Sequence, residues 1–101
     1  MALTKTKLLD NASAAGAGAT IDSPYQTIIP TFYVTTANDA DMVVDIEIRG
    51  NGEWHHLNSL LLSGNGAHEP YKPGAFSCDA IRANVKTHNS GNVTITAFIS
   101  D

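Results

Sequence analysis

The feature that most constrains this chain is an alternation of apolar and polar residues with a period of two. In the segment M-V-V-D-I-E-I-R at 42–49, apolar residues occupy the even positions, whereas Asp45, Glu47 and Arg49 are charged. Successive side chains of a β-strand point to opposite faces, so this pattern predicts a strand with one buried face. The segments A-I-R-A-N-V-K-T at 80–87 and V-T-I-T-A-F-I at 93–99 alternate in the same way.

The sequence H-N-S-G-N at 88–92 lies between these last two segments. Asn and Gly readily adopt the left-handed backbone conformation that a tight turn requires. We therefore expect Asn89 and Gly91 to reverse the chain direction at this point. The resulting prediction is an antiparallel hairpin over residues 80–99.

Turn residues and weaker alternation divide the rest of the chain into further strands. We predict strands near the start at 3–9, at 27–35 and, after the turn G-N-G at 50–52, at 53–61. Pro30 has no N–H to donate, so its strand is predicted to be an edge strand or to be interrupted there. The glycines and prolines of 63–74 predict a long loop.

Six to eight short strands in 101 residues predict a single all-β domain, an antiparallel β-sandwich of the Ig-like or jelly-roll type. The alternation pattern does not distinguish these two topologies. Residues 21–101 are predicted to form the domain, and the Gly-, Ala- and Ser-rich residues 1–20 to precede it as an extended N-terminal arm. Such an arm is either a floppy tail or a segment that adds a strand to an edge of a neighbouring subunit.

Composition and charge argue against several functions. The formal net charge is −4 and no cluster of Lys and Arg occurs, which argues against nucleic-acid binding. No apolar stretch approaches the roughly 20 residues that cross a bilayer. The residues behind Lys5 and Lys7 are not the apolar core of a secretory signal. Cys78 is the one cysteine, so no internal disulfide is expected and a reducing compartment suits its synthesis.

The segment E-W-H-H-L-N-S at 53–59 is the first place to look for a chemical site. His55 and His56 are neighbours, so on a strand they point to opposite faces and cannot chelate one metal ion as a pair. No G-x-S-x-G motif provides a serine nucleophile. Asp39 and Asp41 fit turn capping better than a calcium loop. We therefore expect no catalytic, metal or cofactor site and no enzymatic activity.

Trp54 and Leu57 are three residues apart, which conflicts with pure alternation. Either a β-bulge shifts the register or the strand ends and crosses the core, and both cases place the two side chains in the core. An exposed Trp54 beside tyrosines would instead suit a sugar-binding platform. The predicted core anchors are Trp54, Leu57, Ile46, Ile48, Ile81, Val85, Val93 and Ile95. The candidate interface residues are Leu3, Leu8, Leu9, Tyr25, Tyr33 and Tyr71.

The order of these motifs is similar to that of a known class of proteins. A Gly/Ala-Thr lead-in at 14–21 and F-Y-V-T at 32–35 precede V-D-I-E-I-R-G-N-G-E-W, which runs into W-x-x-L at 54–57. The chain closes with I-R-A-N-V at 81–85 and S-G-N-V-T-I at 90–95. From about residue 14 onward, the chain resembles the small β-sandwich virion proteins of tailed bacteriophages. It departs from their common pattern in its H-H pair and its 63–74 loop.

The resemblance implies a structural, non-enzymatic protein of the virion. The most specific role it implies is a capsid decoration (cement) protein that binds the major capsid protein in many copies. It also implies a homo-oligomer, such as a trimer, assembled in the host bacterial cytoplasm without a cofactor, nucleic acid or a membrane. A tail, neck or fibre-associated virion component and a carbohydrate-binding β-sandwich module are the alternative functions.

Overall fold

The computed structural model describes residues 3–22 and 27–100, and within these ranges the chain is all-β without a helix. Six strands form one antiparallel sheet. Two of them are far longer than the short strands that the sequence predicts. The strands are β1 (Leu3–Ala12), β2 (Gly16–Asp22), β3 (Thr27–Gly50), β4 (Glu53–Ala67), β5 (Phe76–Ser77) and β6 (Ala80–Ser100).

The last strand, β6, lies at the centre of the fold. The order across the sheet is β1, β6, β3, β4. Strand β2 pairs with the first half of β6, whereas β1 pairs with its second half. The short strand β5 pairs with the first two residues of β3.

The two longest strands must bend sharply. Strand β3 has 24 residues and, at about 3.3 Å per residue, would run for about 80 Å if it were straight. The longest dimension of the molecule is 37 Å. The two ends of β3 also contact the same short segment of the chain. Ile28 pairs with Phe76, and the Arg49 carbonyl accepts a 2.9 Å hydrogen bond from the Asp79 N–H.

The bends of neighbouring strands occur at the same level, which we call the bend line: residues 37–41 of β3, 64–66 of β4 and 88–92 of β6. The pairing register shifts at this level in both β3–β4 and β3–β6. Asn38 and Asp39 adopt left-handed φ angles of 58° and 55°. The chain passes from β1 to β2 through residues 13–15, which lie outside both strands.

Polar side chains connect the strands along the bend line. The Asn38 amide donates a 2.6 Å hydrogen bond to the Asn92 side-chain oxygen. The Asp39 backbone N–H donates to the Asn65 side chain at 2.8 Å, and the Asn65 amide donates back to the Asp39 carboxylate at 3.0 Å. The Ser90 hydroxyl donates to the Asp39 carbonyl at 2.7 Å. The bonds of Asn65 and Ser90 to the Asp39 backbone give partners to groups that the regular ladder leaves unpaired at a bend.

The predicted hairpin over 80–99 is wrong. Residues 80–87 pair with the second half of β3 and residues 90–100 with its first half, so the chain continues through H-N-S-G-N without reversing. Gly91 has a φ of 84°, whereas Asn89 is absent from the described residues with positive φ. Asn and Gly thus form a bend within one strand, because each half of β6 finds its partner in β3 and not in the other half.

The inward side chains of both halves of the sheet form one hydrophobic cluster. It combines residues before the bend line, such as Phe32 and Val34, with residues beyond it, such as Val44 and Ile46. Among the predicted core anchors, Ile48 and Leu57 are partly buried against this cluster. The predicted anchors inside it, each at most 2% exposed, are Ile46, Ile81, Val85, Val93 and Ile95.

Trp54 lies outside the described core, contrary to the expectation, and a β-bulge is the reason. Asn58 pairs with Ile46 and His56 with Glu47, so Leu57 is the extra residue of a bulge, one of the two predicted options. If Leu57 were paired in regular alternation, Trp54 would point to the same inward face as Leu60 and Leu62, because these residues are an even number of positions apart. The extra residue reverses the alternation and places Trp54 opposite the outward Arg49.

An N-terminal arm separate from the domain is not confirmed. Residues 3–12 and 16–20 belong to β1 and β2, which are paired with β6 of the same chain. Leu8 and Leu9 are 1% and 5% exposed, so they belong to the core and are not free to contact a partner. A Cβ atom on Gly18 would overlap the carbonyl oxygen of Leu8, so this glycine permits the close approach of β1 and β2.

Two smaller expectations need correction. Residues 63–67 of the predicted loop continue β4, and Tyr71 forms an isolated bridge to Phe32. Pro30 does not end its strand, because it is the fourth residue of β3 and pairs with Ile99 there. On the other side of β3 it lies between the pairings of Ile28 and Phe32, where its missing N–H interrupts no described ladder.

Replacing Gly91 with alanine tests the bend line. A Cβ at this position would collide with the backbone of Ala40, and the residue keeps a left-handed φ of 84°. We expect a loss of about 1–2 kcal/mol from the backbone conformation and a further ~1–3 kcal/mol from overpacking. Urea unfolding of Gly91→Ala and of wild type measures the difference.

Gly52→Ala is the matched control, because Gly52 has a similar φ of 80° but open space around its Cβ position. This variant should lose only the conformational contribution of about 1–2 kcal/mol. Equal destabilisation of the two variants would show that the close contact at the bend line contributes nothing.

Candidate functional site

Beyond the bend line, the outward side chains of β3, β4 and β6 form a surface that we call the tryptophan face: Asp45, Glu47, Arg49, Trp54, His56, Ser59 and Arg82. The sheet register creates it by placing Trp54 beside Arg49, and Glu47 between His56 and Arg82. The guanidinium carbons of Arg82 and Arg49 lie 4.1 Å and 5.3 Å from the centre of the Trp54 ring. These are cation–π distances.

Carboxylates hold both guanidinium groups in place. Arg82 Nε donates a 2.7 Å hydrogen bond to Glu47, and Arg49 Nε donates one of the same length to Asp79. Asp22 of β2 is a second, more distant partner of Arg49 at 3.5 Å. An aromatic platform for a sugar needs an open ring, whereas the Trp54 ring is in contact with two fixed cations. The geometry therefore favours a structural role for Trp54.

His55 and His56 do not converge on a common partner. The register pairs His55 with the inward Ile48 and His56 with the outward Glu47, which agrees with the prediction of opposite faces. The His55 ring lies 3.3 Å from the Gly50 carbonyl, whereas His56 contacts the side chain of Ser59. In residues 3–22 and 27–100, no group of three or more His, Cys, Asp and Glu could hold a metal ion.

The tryptophan face brings together an acid, a hydroxyl and an imidazole. The Asp45 residue is 8% exposed, and its carboxylate accepts a 2.7 Å hydrogen bond from the Ser59 hydroxyl. The Ser59 oxygen lies 2.8 Å from His56 Nε2, which is 3.8 Å from the Asp45 carboxylate. The sequence shows no sign of this cluster, because the bulge at Leu57 sets the register that forms it.

The direction of the hydrogen bonds argues against a nucleophilic serine. A hydroxyl has one proton, and that of Ser59 is donated to Asp45. The hydroxyl oxygen must then accept from His56, so Nε2 is a donor and not the base that a nucleophile requires. In a catalytic triad the histidine lies between the acid and the serine, whereas here the serine lies between the other two. The cluster gives a buried carboxylate its partners.

Cys78 is a poor nucleophile. It is 2% exposed and unpaired. Burial raises the pKa of the Cys78 thiol, the charge of Asp79 adds to the rise, and a hydrogen bond with the Ala80 backbone opposes it. A raised pKa lowers the thiolate fraction at neutral pH, and the thiolate is the reactive form.

On the other side of the bend line, a second outer surface is formed by β1, the start of β3 and the end of β6. We call it the lysine face: Lys5, Lys7, Ile29, Thr31, Tyr33, Thr96 and Phe98. The register aligns Lys5 with Phe98 and Thr31 in one row, and Lys7 with Thr96 and Tyr33 in the next.

Aromatic side chains form the apolar centre of the lysine face. Tyr33 and Phe98 meet edge to face, with ring centres 5.2 Å apart. The ammonium group of Lys5 lies 5.7 Å from the Phe98 ring centre. Ile29 and Tyr33 are 50% and 47% exposed, so the lysine face presents large apolar side chains to solvent.

A third exposed apolar residue lies on the edge strand β4. Leu61 is 79% exposed, whereas its neighbours Leu60 and Leu62 face the core. The register pairs Leu61 with Val43, and the adjacent outward rows are Asp41 with Ser63 and Asp45 with Ser59. We call the group Asp41, Val43, Leu61 and Ser63 the Leu61 patch. It places an apolar side chain on an edge strand beside acidic residues.

A groove of about 330 Å³ lies between β1 and β2. Its lining is mostly alanine, glycine and the two core leucines, and its charged lining residues are Lys7 and Asp10. These two side chains are exposed and pair with each other at 3.6 Å. The groove therefore lacks the convergent polar groups that orient a small ligand.

The candidate interface residues have different environments. Tyr33 is on the lysine face, whereas Tyr71 stacks on Phe32 with ring centres 5.6 Å apart, and its burial raises the pKa of the phenol. The backbone of Leu3 pairs with Ser100. Tyr25 lies outside the described residues. Sequence reasoning missed Ile29, Leu61 and Phe98, although each is a large apolar residue at an outward position of an alternating strand.

The fold and surfaces define a small all-β protein whose described chemical features lie on its outer faces and not in a deep site. No protein-family model matches the chain, and no curated protein is significantly similar in sequence. No described helix is long and apolar enough to cross a membrane.

Solved structures with little sequence similarity share the fold. The chain matches the crystal structure of the SPBc2 prophage-derived protein YomS with a TM-score of 0.64 and 10% identity, over 98% of this chain and 94% of the other. It matches the Drosophila NLP-core with a TM-score of 0.54 and 12% identity, over 98% of each chain. A chain from infectious bursal disease virus, strain Gx, has a TM-score of 0.45 and supports no argument.

Replacing Ser59 with alanine tests the polar cluster of the tryptophan face. The variant removes the hydroxyl that donates to the buried Asp45 carboxylate. A buried acceptor left without its partner costs about 1–3 kcal/mol, so we expect a loss of stability of that size in urea unfolding at neutral pH. Ser63→Ala on the same strand is the control, because Ser63 is exposed. Equal stabilities of the two variants would contradict the role of Ser59.

Proposed function

We propose that this chain is a structural protein of a tailed-phage virion, most specifically a capsid decoration protein that binds the major capsid protein. The observation that carries the proposal is the whole-chain fold likeness to a prophage-derived protein, together with the motif order at 14–35, 42–57 and 81–95. The protein acts as a homo-oligomer without enzymatic activity, cofactor, nucleic acid or membrane. It assembles in the host bacterial cytoplasm.

The finer architecture that fits this role is a jelly-roll β-sandwich. In this architecture the bend line would divide the sheet into two layers of four strand segments. The first would have the order β1, end of β6, start of β3, and residues 66–77; the second would have β2, start of β6, end of β3, and β4. The pairing of the strands supports this arrangement, and the jelly roll is an architecture used by viral capsid domains and lectins.

The character of the outer faces supports a role in subunit contacts. The lysine face combines threonines with exposed aromatic and aliphatic side chains. Protein interfaces combine an apolar centre with hydrogen-bonding groups at the rim, and aromatic residues are enriched there. A broad surface of this kind suits a protein partner better than a small ligand.

Two alternative functions remain. A tail, neck or fibre-associated virion component would use the same surfaces with another partner. A carbohydrate-binding module is the second alternative, and lectins also use jelly rolls. The cation–π contacts of Trp54 with Arg49 and Arg82 count against it, because they cover the side chain that would bind a sugar.

The position of the protein in the particle tests the proposal. In purified virions of the phage that encodes the chain, we expect the protein in many copies on the head, measured by quantitative mass spectrometry and immunogold labelling. Labelling confined to the neck or tail would overturn the decoration role in favour of the other virion role. Absence from washed particles would overturn the virion assignment altogether.

Fluorescence of the single tryptophan tests the carbohydrate alternative. Because the Trp54 ring is occupied by guanidinium groups, its emission should not change when mono- and oligosaccharides are added at millimolar concentrations. Arg82→Ala, which removes the cation 4.1 Å from the ring centre, should shift the emission and serves as the positive control. A saturable change on addition of sugar to wild type would favour the carbohydrate-binding module.

A further inference from the structure

We propose that copies of this chain associate head to tail, with the lysine face of one copy seated on the Leu61 patch of the next. The inference rests on the proposed homo-oligomer and not on the capsid as a partner. It names the two surfaces in contact and the residues at their centres.

The exposed apolar residues are the first observation. The large hydrophobic side chains that the described ranges leave exposed are Ile29, Tyr33 and Leu61. The first two belong to the lysine face and the third to the Leu61 patch, so each surface presents an apolar centre to solvent. Seating one centre on the other removes all three from water, and burial of apolar area drives such association.

Charge complementarity is the second observation. Residues 3–7, 29–35 and 94–100, which form the lysine face and its inward neighbours, contain Lys5 and Lys7 and no acidic residue, and Lys7 pairs with the adjacent exposed Asp10 at 3.6 Å. Residues 39–46 and 58–67, which form the Leu61 patch and its surroundings, contain Asp39, Asp41 and the buried Asp45 and no Lys or Arg. A cation lies near the patch on β6: Lys86 is at the register shift between Val85 and Thr87, and Thr87 pairs with Val43. In a chain with a net charge of −4, these two surfaces have opposite signs.

The opposite signs identify a second copy as the partner and determine the geometry. Contact of the lysine face with itself across a two-fold axis would oppose like charges, which disfavours association. Contact between the two different surfaces opposes Lys5 to Asp41. Such a heterologous contact leaves one free surface at each end of a dimer, so it continues until a ring closes or a filament forms.

Two substitutions each alter one of the two surfaces and leave the core residues unchanged. Tyr33→Ser alters the lysine face, and Leu61→Ser alters the Leu61 patch. Each should weaken self-association by about tenfold or more, measured by sedimentation velocity on the purified full chain over a range of concentrations. His55→Ser, an exposed position on the same edge strand as Leu61, is the matched control and should assemble like wild type.

Mixing the two variants is the decisive experiment. Tyr33→Ser keeps an intact Leu61 patch and Leu61→Ser keeps an intact lysine face, so an equimolar mixture should form a one-to-one heterodimer and nothing larger. Assembly of wild type should also weaken as salt is raised from 0.05 to about 0.5 M, because exposed charges are screened. Circular dichroism confirms that each variant is folded, and Lys5→Glu replaces Tyr33→Ser if it is not.

Three results would overturn the inference: wild type that stays monomeric at millimolar concentration, Leu61→Ser that assembles like wild type, or a mixture without heterodimer. These measurements contain no capsid, so they are independent of the location of the protein in virions. A protein that self-associates in this way but is absent from particles would keep the inference and lose the proposed function.

Discussion

The bend line is the constraint on which the rest of the structure depends. Strands of 24 and 21 residues fit within a molecule 37 Å long only if they bend, and neighbouring strands can stay paired only if they bend at the same level. Left-handed Asn38 and Asp39, together with Gly91, allow this geometry in adjacent strands. Hydrogen bonds from side chains of β4 and β6 to the backbone of Asp39 then supply partners where the ladder is interrupted.

This bend explains both the core and the surfaces. Because each long strand contributes inward residues to both halves, one hydrophobic cluster forms from segments that are distant in sequence. The same bend separates the outward residues into two faces of different chemistry. The lysine face has an aromatic centre, whereas the tryptophan face is a network of cations, carboxylates and a covered indole ring. The outward residues of a protein built in this way form broad surfaces.

The alternation of residues was a reliable guide where one strand has one buried face, as at 42–49 and 93–99. It was misleading at H-N-S-G-N, because Gly91 adopts in a bend within a strand the left-handed conformation that a reversal between two strands also uses. The sequence predicted the Leu57 bulge as one of two options. Its effect on Trp54 depends on which residues of β3 pair with β4, and these are Glu47 with His56 and Arg49 with Trp54. The Ser59 cluster follows from that same register and could not be predicted.

The sequence by itself determined that the chain is all-β, which side chains of 42–49, 80–87 and 93–99 face inward, and that His55 and His56 point to opposite faces. These properties are local, since they depend on the two-residue period of a strand. The tertiary structure alone decided which strands pair, that residues 3–20 belong to the sheet, and which outward residues meet on one surface. Pairing is a competition between distant segments, so its result depends on the whole chain and cannot be read from any one stretch.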